Sequence, residues 1–259
     1  TLYNAGDTAV TDTVTAELAG ETVATLPLTL APHETREAET AAFTVTPVRL
    51  WSPETPELYT MALRTGSDDL IDRTGFRLIE VREGQILLNH RPVEFRGVNR
   101  HEEHPDFGFA FPQNLMRRDL ELIRAAGCNA VRGSHYPNSK DFVDLLDETG
   151  MLFWSEIPMW GCGFSRESLA DPAVVAAGLT MHREMVEQYY NHPCVLFWGM
   201  HNEIPSDCEA AVELTRIYYE FLKKNGGNRL VVYASNVPET DRCLALCDCI
   251  CLNIYLGWY

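Results

Sequence analysis

From Gly75 onward, apolar runs of strand length alternate with amphipathic segments of helix length, and this alternation restricts the chain more than any other feature. The pattern predicts strands over Val93–Val98, Asn129–Ser134, Leu152–Glu156, Cys194–Gly199, Leu230–Ala234 and Cys249–Tyr255. Between them it predicts helices over Asn114–Ala126, Ser139–Thr149, Asp171–Tyr190 and Cys208–Lys224. Gly127 and Gly150 stop the first two helices, and Pro172 stands in the first turn of the third, where its missing N–H costs nothing. Repetition of strand, helix, strand implies parallel neighbours joined by right-handed crossovers. A closed (β/α)8 barrel needs eight strands. About six are predicted here, so the expected fold is an incomplete TIM barrel whose first and last strands are unpaired edges.

Residues 1–74 follow a different period. Strands are predicted over Thr8–Leu18, Val23–Leu30, Ala42–Val48 and Leu58–Arg64, with turn signals at Asn4-Ala5-Gly6-Asp7, Ala31-Pro32-His33 and Gly66-Ser67-Asp68-Asp69. No helix is needed. The expected fold class is therefore multidomain, β plus α/β: an immunoglobulin-like β-sandwich over 1–74, followed by the N-terminal part of a TIM-barrel domain over 75–259.

Charge narrows the partners. A formal net charge of -16 repels polyanions, which argues against nucleic acid and anionic membrane. No apolar run reaches the roughly 18 residues of a spanning helix. The start, Thr1-Leu2-Tyr3-Asn4, shows neither an initiator Met nor a basic-then-apolar leader, so the chain is expected to begin inside a longer cytoplasmic gene product. Eight cysteines are present without a C-x-x-C, and Cys247, Cys249 and Cys251 are expected to share one face of a buried strand as inert core thiols.

In parallel barrels, functional groups sit where strands end at the C-terminal face. Here the predicted strand ends read Asn99-Arg100-His101-Glu102-Glu103-His104, then Ser134-His135-Tyr136-Pro137-Asn138, Glu156, His201-Asn202-Glu203, Ser235-Asn236 and Asn253-Ile254-Tyr255. Polar ends on apolar strands predict a polar pocket at one mouth of the barrel.

Several of these blocks carry a resemblance. Phe95-Arg96-Gly97-Val98-Asn99-Arg100-His101-Glu102, Ser134-His135-Tyr136-Pro137, Asn191-His192-Pro193-Cys194-Val195 and Trp198-Gly199-Met200-His201-Asn202-Glu203 resemble blocks of the family 2 glycoside hydrolases, the β-galactosidases and β-glucuronidases. Cys251-Leu252-Asn253-Ile254-Tyr255-Leu256-Gly257-Trp258-Tyr259 resembles a β-glucuronidase segment, and Leu50-Trp51-Ser52-Pro53 resembles a stretch of the preceding β domain.

The resemblance implies a retaining exo-glycosidase that cleaves terminal β-glucuronides or β-galactosides with two carboxyl groups, one of which protonates the departing glycosidic oxygen. It implies Glu203 as general acid/base and Tyr255 as the residue that orients the nucleophile. Contacts to sugar are implied for His101, His135, Asn202, Asn253, Trp258 and Tyr259, with Asn99, Arg100 and Glu156 supporting them from behind. The family nucleophile, a glutamate in a T-E-x-G context, is absent from this chain, and the N-x-K motif that recognises the glucuronide carboxylate in the family is expected further on than its last residue. Trp160-Gly161-Cys162 stands where metal-dependent galactosidases carry E-T-H, so neither metal nor cofactor is expected.

The expected partner is a small-molecule or oligosaccharide glycoside. The exposed edges call for a homo-oligomer or for the rest of the barrel from the same gene product. Two alternatives stay open: a non-catalytic carbohydrate-binding or assembly fragment, and a metal-dependent hydrolase built on His101, His104 and His135.

Overall fold

The computed structural model describes residues 1–258, with Cys162 described by its backbone alone. The chain forms two compact units. Thr1–Leu50 and Glu57–Phe76 make the first, while Trp51–Pro56 and Arg77 onward make the second.

The first unit contains β1 (Leu2–Tyr3), β2 (Val10–Leu18), β3 (Glu21–Leu30), β4 (Thr35–Arg36), β5 (Tyr59–Arg64) and β6 (Asp69–Thr74). Four of these form an antiparallel sheet in the order β3-β2-β5-β6, and β1 pairs with β4. Ala19 and Gly20, both at positive φ (52° and 85°), supply the two-residue turn that matches strand twist in the β2–β3 hairpin. Val14, Ala16 and Leu18 alternate inward from β2. Pro27 is tolerated because β3 is an edge strand.

The strand predicted over Ala42–Val48 does not form. Pro47 offers no N–H to a ladder, and the free edge of β5 is taken by β6 through a hairpin closed by Thr65 N donating to Asp68 O at 2.8 Å.

The second unit opens with an antiparallel meander, β7 (Ile79–Arg82), β8 (Gln85–Leu88) and β9 (Arg91–Pro92). It explains why the first barrel strand, β10 (Gly97–Arg100), starts later than predicted: Val93 N donates to Ile86 O, so the backbone there still belongs to the meander. Ile86 and Phe95 line the barrel interior, and Phe95 meets Phe197 edge-on at 5.0 Å.

Beyond β10 the alternation holds. The strands are β11 (Ala130–Gly133), β12 (Leu152–Glu156), β13 (Val195–Asn202), β14 (Leu230–Ser235) and β15 (Cys251–Leu252). The helices are α1 (Gln113–Ala125), α2 (Lys140–Thr149), α3 (Pro172–Tyr189) and α4 (Glu209–Asn225). Strands β10 to β15 form one parallel sheet of six in sequence order, an incomplete TIM barrel.

Helix ends follow local chemistry. The Asp171 carboxylate accepts from Ala173 N at 2.8 Å to cap α3, and Gly150 ends α2 in the left-handed region (φ 73°) with its N–H on Leu146 O. A Cβ on Gly150 would lie 2.3 Å from Pro53 O. All eight residues of β13 are buried, as expected of a central parallel strand. No helix among the described residues is long and apolar enough to cross a membrane.

The last predicted strand is the other correction. Only Cys251–Leu252 is strand, so Cys247, Cys249 and Cys251 do not share a strand face. Asp248 turns the chain back toward α4 and β14: its carboxylate accepts from Tyr219 Oη (2.8 Å), Lys223 Nζ (2.9 Å) and Val231 N (2.7 Å). The described cysteines are all free thiols.

Candidate active site

The site begins with an irregularity. Between Gly199 and Asn202, β13 slips against β14, because Gly199 faces Val232 while Asn202 faces Ala234. Such a bulge re-aims the side chains beyond it. Glu203 follows at once in the left-handed region (φ 53°), a backbone state that costs a non-glycine residue about 1–2 kcal/mol. The turn is held by Glu203 N donating to Ala234 O and Asn202 N donating to Met159 O, each at 2.9 Å.

Gly199 has its own task. A Cβ there would sit 2.4 Å from both the Glu156 Cβ and the Trp154 indole nitrogen, so only glycine lets β12 lay Glu156 across β13.

Glu156 is fully buried and held in a fork: Arg132 Nε donates to Oε2 (2.9 Å), and Arg132 Nη2 to Oε1 (3.2 Å). This bidentate geometry compensates two charges that would otherwise be costly to bury. His135 Nδ1 lies 2.5 Å from Glu156 Oε1. Arg132 Nη2 also donates to Asn202 Oδ1 at 2.8 Å, and Asn253 Nδ2 donates to the same oxygen at 3.0 Å. Because guanidinium only donates, Asn202 must present its oxygen to Arg132, which leaves Nδ2 as a donor for a ligand.

Asn253 Nδ2 and Tyr255 Oη both donate to Glu203 Oε1, at 2.5 and 2.6 Å. Glu203 Oε2 makes no hydrogen bond among the described residues. The structure thus gathers Glu156, His135, Asn202, Glu203, Asn253 and Tyr255 into one connected cluster. His101 joins at its edge, exposed, with its ring 5.5 Å from that of His135.

Other predicted residues lie elsewhere. Arg100 is buried beneath the mouth: Nε donates to Asp119 (2.9 Å), Nη1 donates to Glu102 (3.2 Å), and the guanidinium covers the rings of Phe111 and Phe142. Glu102 Oε2 in turn accepts from Ser139 N at 2.6 Å, at the start of α2. These groups pin β10 to the helices. Asn99 faces the barrel interior. Trp258 stands 79% exposed in a turn and is not drawn into the cluster, and Tyr259 lies outside the described residues.

His101, His104 and His135 do not form a metal-ligand group among the described residues. Among the described residues, the one group with such spacing is Asp144, Asp147 and His192. There Asp147 already accepts from His192 Nδ1 (2.6 Å) and Cys194 N (2.9 Å).

Arg132 and Trp160 were not among the residues predicted for the site. An arginine within the strand Asn129–Ser134 was the available signal, since a buried arginine in a strand needs a carboxylate partner. Behind the cluster, His201 and His182 are fully buried, and burial pulls each down to about 3, so both are neutral core groups.

A parallel half-barrel that follows an all-β unit in the sequence, with a carboxylate and its hydrogen-bonding neighbours gathered at the strand ends, defines the class: a (β/α)-barrel domain with a polar ligand pocket. Two family models then divide the chain: "Glycosyl hydrolases family 2" matches residues 4–77, and "Glycosyl hydrolases family 2, TIM barrel domain" matches residues 79–259. The chain belongs to glycosyl hydrolase family 2.

Among curated relatives, a β-galactosidase of Vibrio cholerae is 36% identical over 205 residues, covering 74% of this chain and 19% of the relative. Human β-glucuronidase is 31% identical over 214 residues, covering 82% of this chain and 33% of the relative. Among solved structures, a family 2 β-galacturonidase from Eisenbergiella tayi bound to galacturonate superposes with a TM-score of 0.91 at 37% identity, covering 99% of this chain and 46% of that one. A β-glucuronidase from Ruminococcus gnavus in complex with D-glucuronic acid gives 0.82 at 28%, covering 98% and 43%. The chain therefore spans only about a fifth to a third of these two curated relatives.

Proposed function

We propose that this chain carries the acid/base half of a retaining β-glycosidase, with Glu203 as the general acid/base. The observation that supports it most is the environment of the Glu203 carboxylate: Oε1 is fixed by two donors, Asn253 and Tyr255, while Oε2 makes no hydrogen bond among the described residues and the preceding Asn202 keeps Nδ2 as a donor. In this reading Oε2 protonates the glycosidic oxygen as the bond to the anomeric carbon breaks, then takes a proton from the water that releases the sugar. Asn202 Nδ2 donates to the hydroxyl beside the anomeric carbon. His135, oriented by Glu156, and His101 contact further hydroxyls. Tyr255 has the role the resemblance implies, orienting the nucleophile, when its single O–H turns from Glu203 to that carboxylate.

A retaining mechanism needs a second carboxyl group about 5 to 5.5 Å from the first. Glu156 is engaged by Arg132 and His135, and Glu102 by Arg100 and Ser139, which leaves neither available. The resemblance assigns the nucleophile to a later strand, outside these 259 residues, and the chain alone is expected to show no turnover. The relatives act on galactosides, glucuronides and galacturonides, so the proposed substrate is a terminal β-glycoside of a hexose or a hexuronic acid.

The test uses the whole protein with Glu203→Gln. Hydrolysis of an alkyl glycoside should fall by about 10²- to 10⁴-fold, while the first step on a dinitrophenyl glycoside, whose leaving group needs no proton, is retained. Equal losses on both would remove the acid role.

A further inference from the structure

Two thiols stand just upstream of the residues that fix Glu203. Cys249 and Cys251 are free, half-buried, and line the same apolar space inside the half-barrel, beside Leu152, Trp154 and Phe197. The Cys251 thiol lies 3.6 Å from Cys249 O and also hydrogen-bonds to the Cys249 sulfur. Two sulfurs already in contact need no approach of distant segments in order to join. They also differ in readiness: accepting from Cys251 pulls the Cys249 thiol down to about 7, whereas burial pushes Cys243 and Cys247 up to about 11. Near neutral pH Cys249 is therefore the thiolate of the pair, and Cys251, pushed up by the same contact, keeps its proton until its partner has reacted.

The chain around the pair is anchored firmly on one side and lightly on the other. Immediately before it, the Asp248 carboxylate accepts from Tyr219 Oη, Lys223 Nζ and Val231 N. Immediately after it, β15 pairs with β14 over two residues, Cys251 opposite Ala234 and Leu252 opposite Ser235, and Asn253 N donates to Ser235 O at 2.8 Å. That short attachment carries Asn253 Nδ2 and Tyr255 Oη to Glu203 Oε1. Two residues in strand conformation span about 6.6 Å, whereas a disulfide draws the Cβ atoms of its cysteines to about 3.5–4.5 Å. Joining the sulfurs therefore bends the chain at the exposed Ile250. Because Asp248 is held at three points, the displacement falls on β15.

We infer that Cys249 and Cys251 form a peroxide-sensitive dithiol, and that closing it to a disulfide withdraws Asn253 and Tyr255 from Glu203. The Cys249 thiolate attacks hydrogen peroxide and the O–O bond breaks, giving a sulfenic acid and a hydroxide that takes up the proton Cys249 had released. The Cys251 sulfur then attacks the sulfenic sulfur: the S–S bond forms, the S–O bond breaks, and the hydroxyl leaves with the Cys251 proton as a second water. Two electrons pass from the dithiol to the peroxide. The dithiol stands on the contact between the thiols; only its effect on turnover rests on the β-glycosidase reading above.

The experiment treats the whole protein with hydrogen peroxide, removes the excess with catalase, and follows unreduced peptide mass together with kcat/KM on an alkyl glycoside. A peptide linking Cys249 to Cys251 should appear, lighter by two hydrogens, with a loss of more than about tenfold in kcat/KM, since both donors to one carboxylate oxygen are withdrawn. Dithiothreitol should reverse both. Cys249→Ser should keep its basal activity and lose none of it to peroxide. Cys251→Ala, a second variant, should stop at a sulfenic acid on Cys249 that dimedone traps. Both thiols still free after treatment, a linked peptide with unchanged activity, or an equal loss in Cys249→Ser overturns the inference. Glu203→Gln assayed in parallel keeps the two readings apart: an acid-type loss in that variant with no linked peptide in the parent removes the dithiol alone, whereas full activity of that variant beside a reversible linked peptide and loss supports the dithiol and removes the acid assignment.

Discussion

The two ends of the parallel sheet use the same kinds of residue to opposite effect. At the N-terminal end of β13, Arg229 donates to the carbonyls of Tyr190, His192, Val195 and Gly226, and Arg77 donates to those of Pro193 and Val195. Burial lowers both arginines, to about 9 for Arg77 and about 10 for Arg229. At the C-terminal end, Arg132 donates only to side chains, Glu156 and Asn202. Arginines that bond to backbone stitch loops together. An arginine that bonds to side chains orients them and leaves Glu203 Oε2 and Asn202 Nδ2 uncommitted. The lower end is built to stay closed, and the upper end is built to meet a ligand.

That contrast can be broken by substitution. Arg229→Met strands the carbonyls of Tyr190 and His192, since Val195 O keeps Arg77 and Gly226 O keeps Trp198 Nε1, so stability should fall by about 2–4 kcal/mol while activity per folded molecule holds. Urea unfolding paired with an activity assay on the whole protein would check this, and lost activity per folded molecule would show that the ends are coupled.

Arg132→Lys should do the reverse. A lysine keeps the charge but not the fork, so Asn202 loses its orientation; kcat/KM is expected to drop about a hundredfold with a stability change below about 1.5 kcal/mol.

Between the two ends lie His182 and His201, whose folded-state values near 3 are below the usual 6.5. The unfolded chain therefore takes up protons first as pH falls, and stability is lost from about pH 6.5 downward toward 3. Two such histidines amount to about 2 kcal/mol between pH 6.5 and 5.5, readable as a shift in urea midpoint. A flat profile over that interval would mean that one or both are charged in the folded state.

The smallest effect is expected for Tyr255→Phe. One of two donors to Glu203 Oε1 is removed, which should cost about fivefold to tenfold in kcat/KM without altering the urea midpoint.

Where periodicity was strong, reading the chain by pattern located elements well. The strand Leu152–Glu156 coincides with prediction because Met151 and Gly150 mark its start and a charge ends the apolar run. The residues brought together around Glu203 lay at predicted strand ends, since apolar strand bodies leave little choice of where polar groups emerge.

Legibility failed where partners decided the outcome. Asp69–Thr74 has polar ends and looks like a turn until β5 is beside it, while Ala42–Val48 looks like a strand but has no edge to join. Arg132 was masked because it interrupts an apolar run, and its meaning depends on a carboxylate 24 positions away. The Cys247–Cys251 stretch alternates convincingly, yet three hydrogen bonds to Asp248 from two other segments, α4 and β14, override the pattern.

The strand order of the second unit carries a consequence for how such a chain comes off the ribosome. From β10 to β15, every strand pairs with the one synthesised immediately before it, so each finds its template already in place and no large loop must close first. Growth of this sheet is vectorial, like a ribbon lengthened at one end. The opposite margin, β10, has to wait for the last strand of a closed barrel, and during that wait its unpaired N–H and C=O groups and the half-exposed Val98 are open to a strand of another chain. Chaperone demand should therefore peak in the interval after β15 has emerged and before closure. Ribosome-bound chains stalled across that interval are where aggregation would be caught.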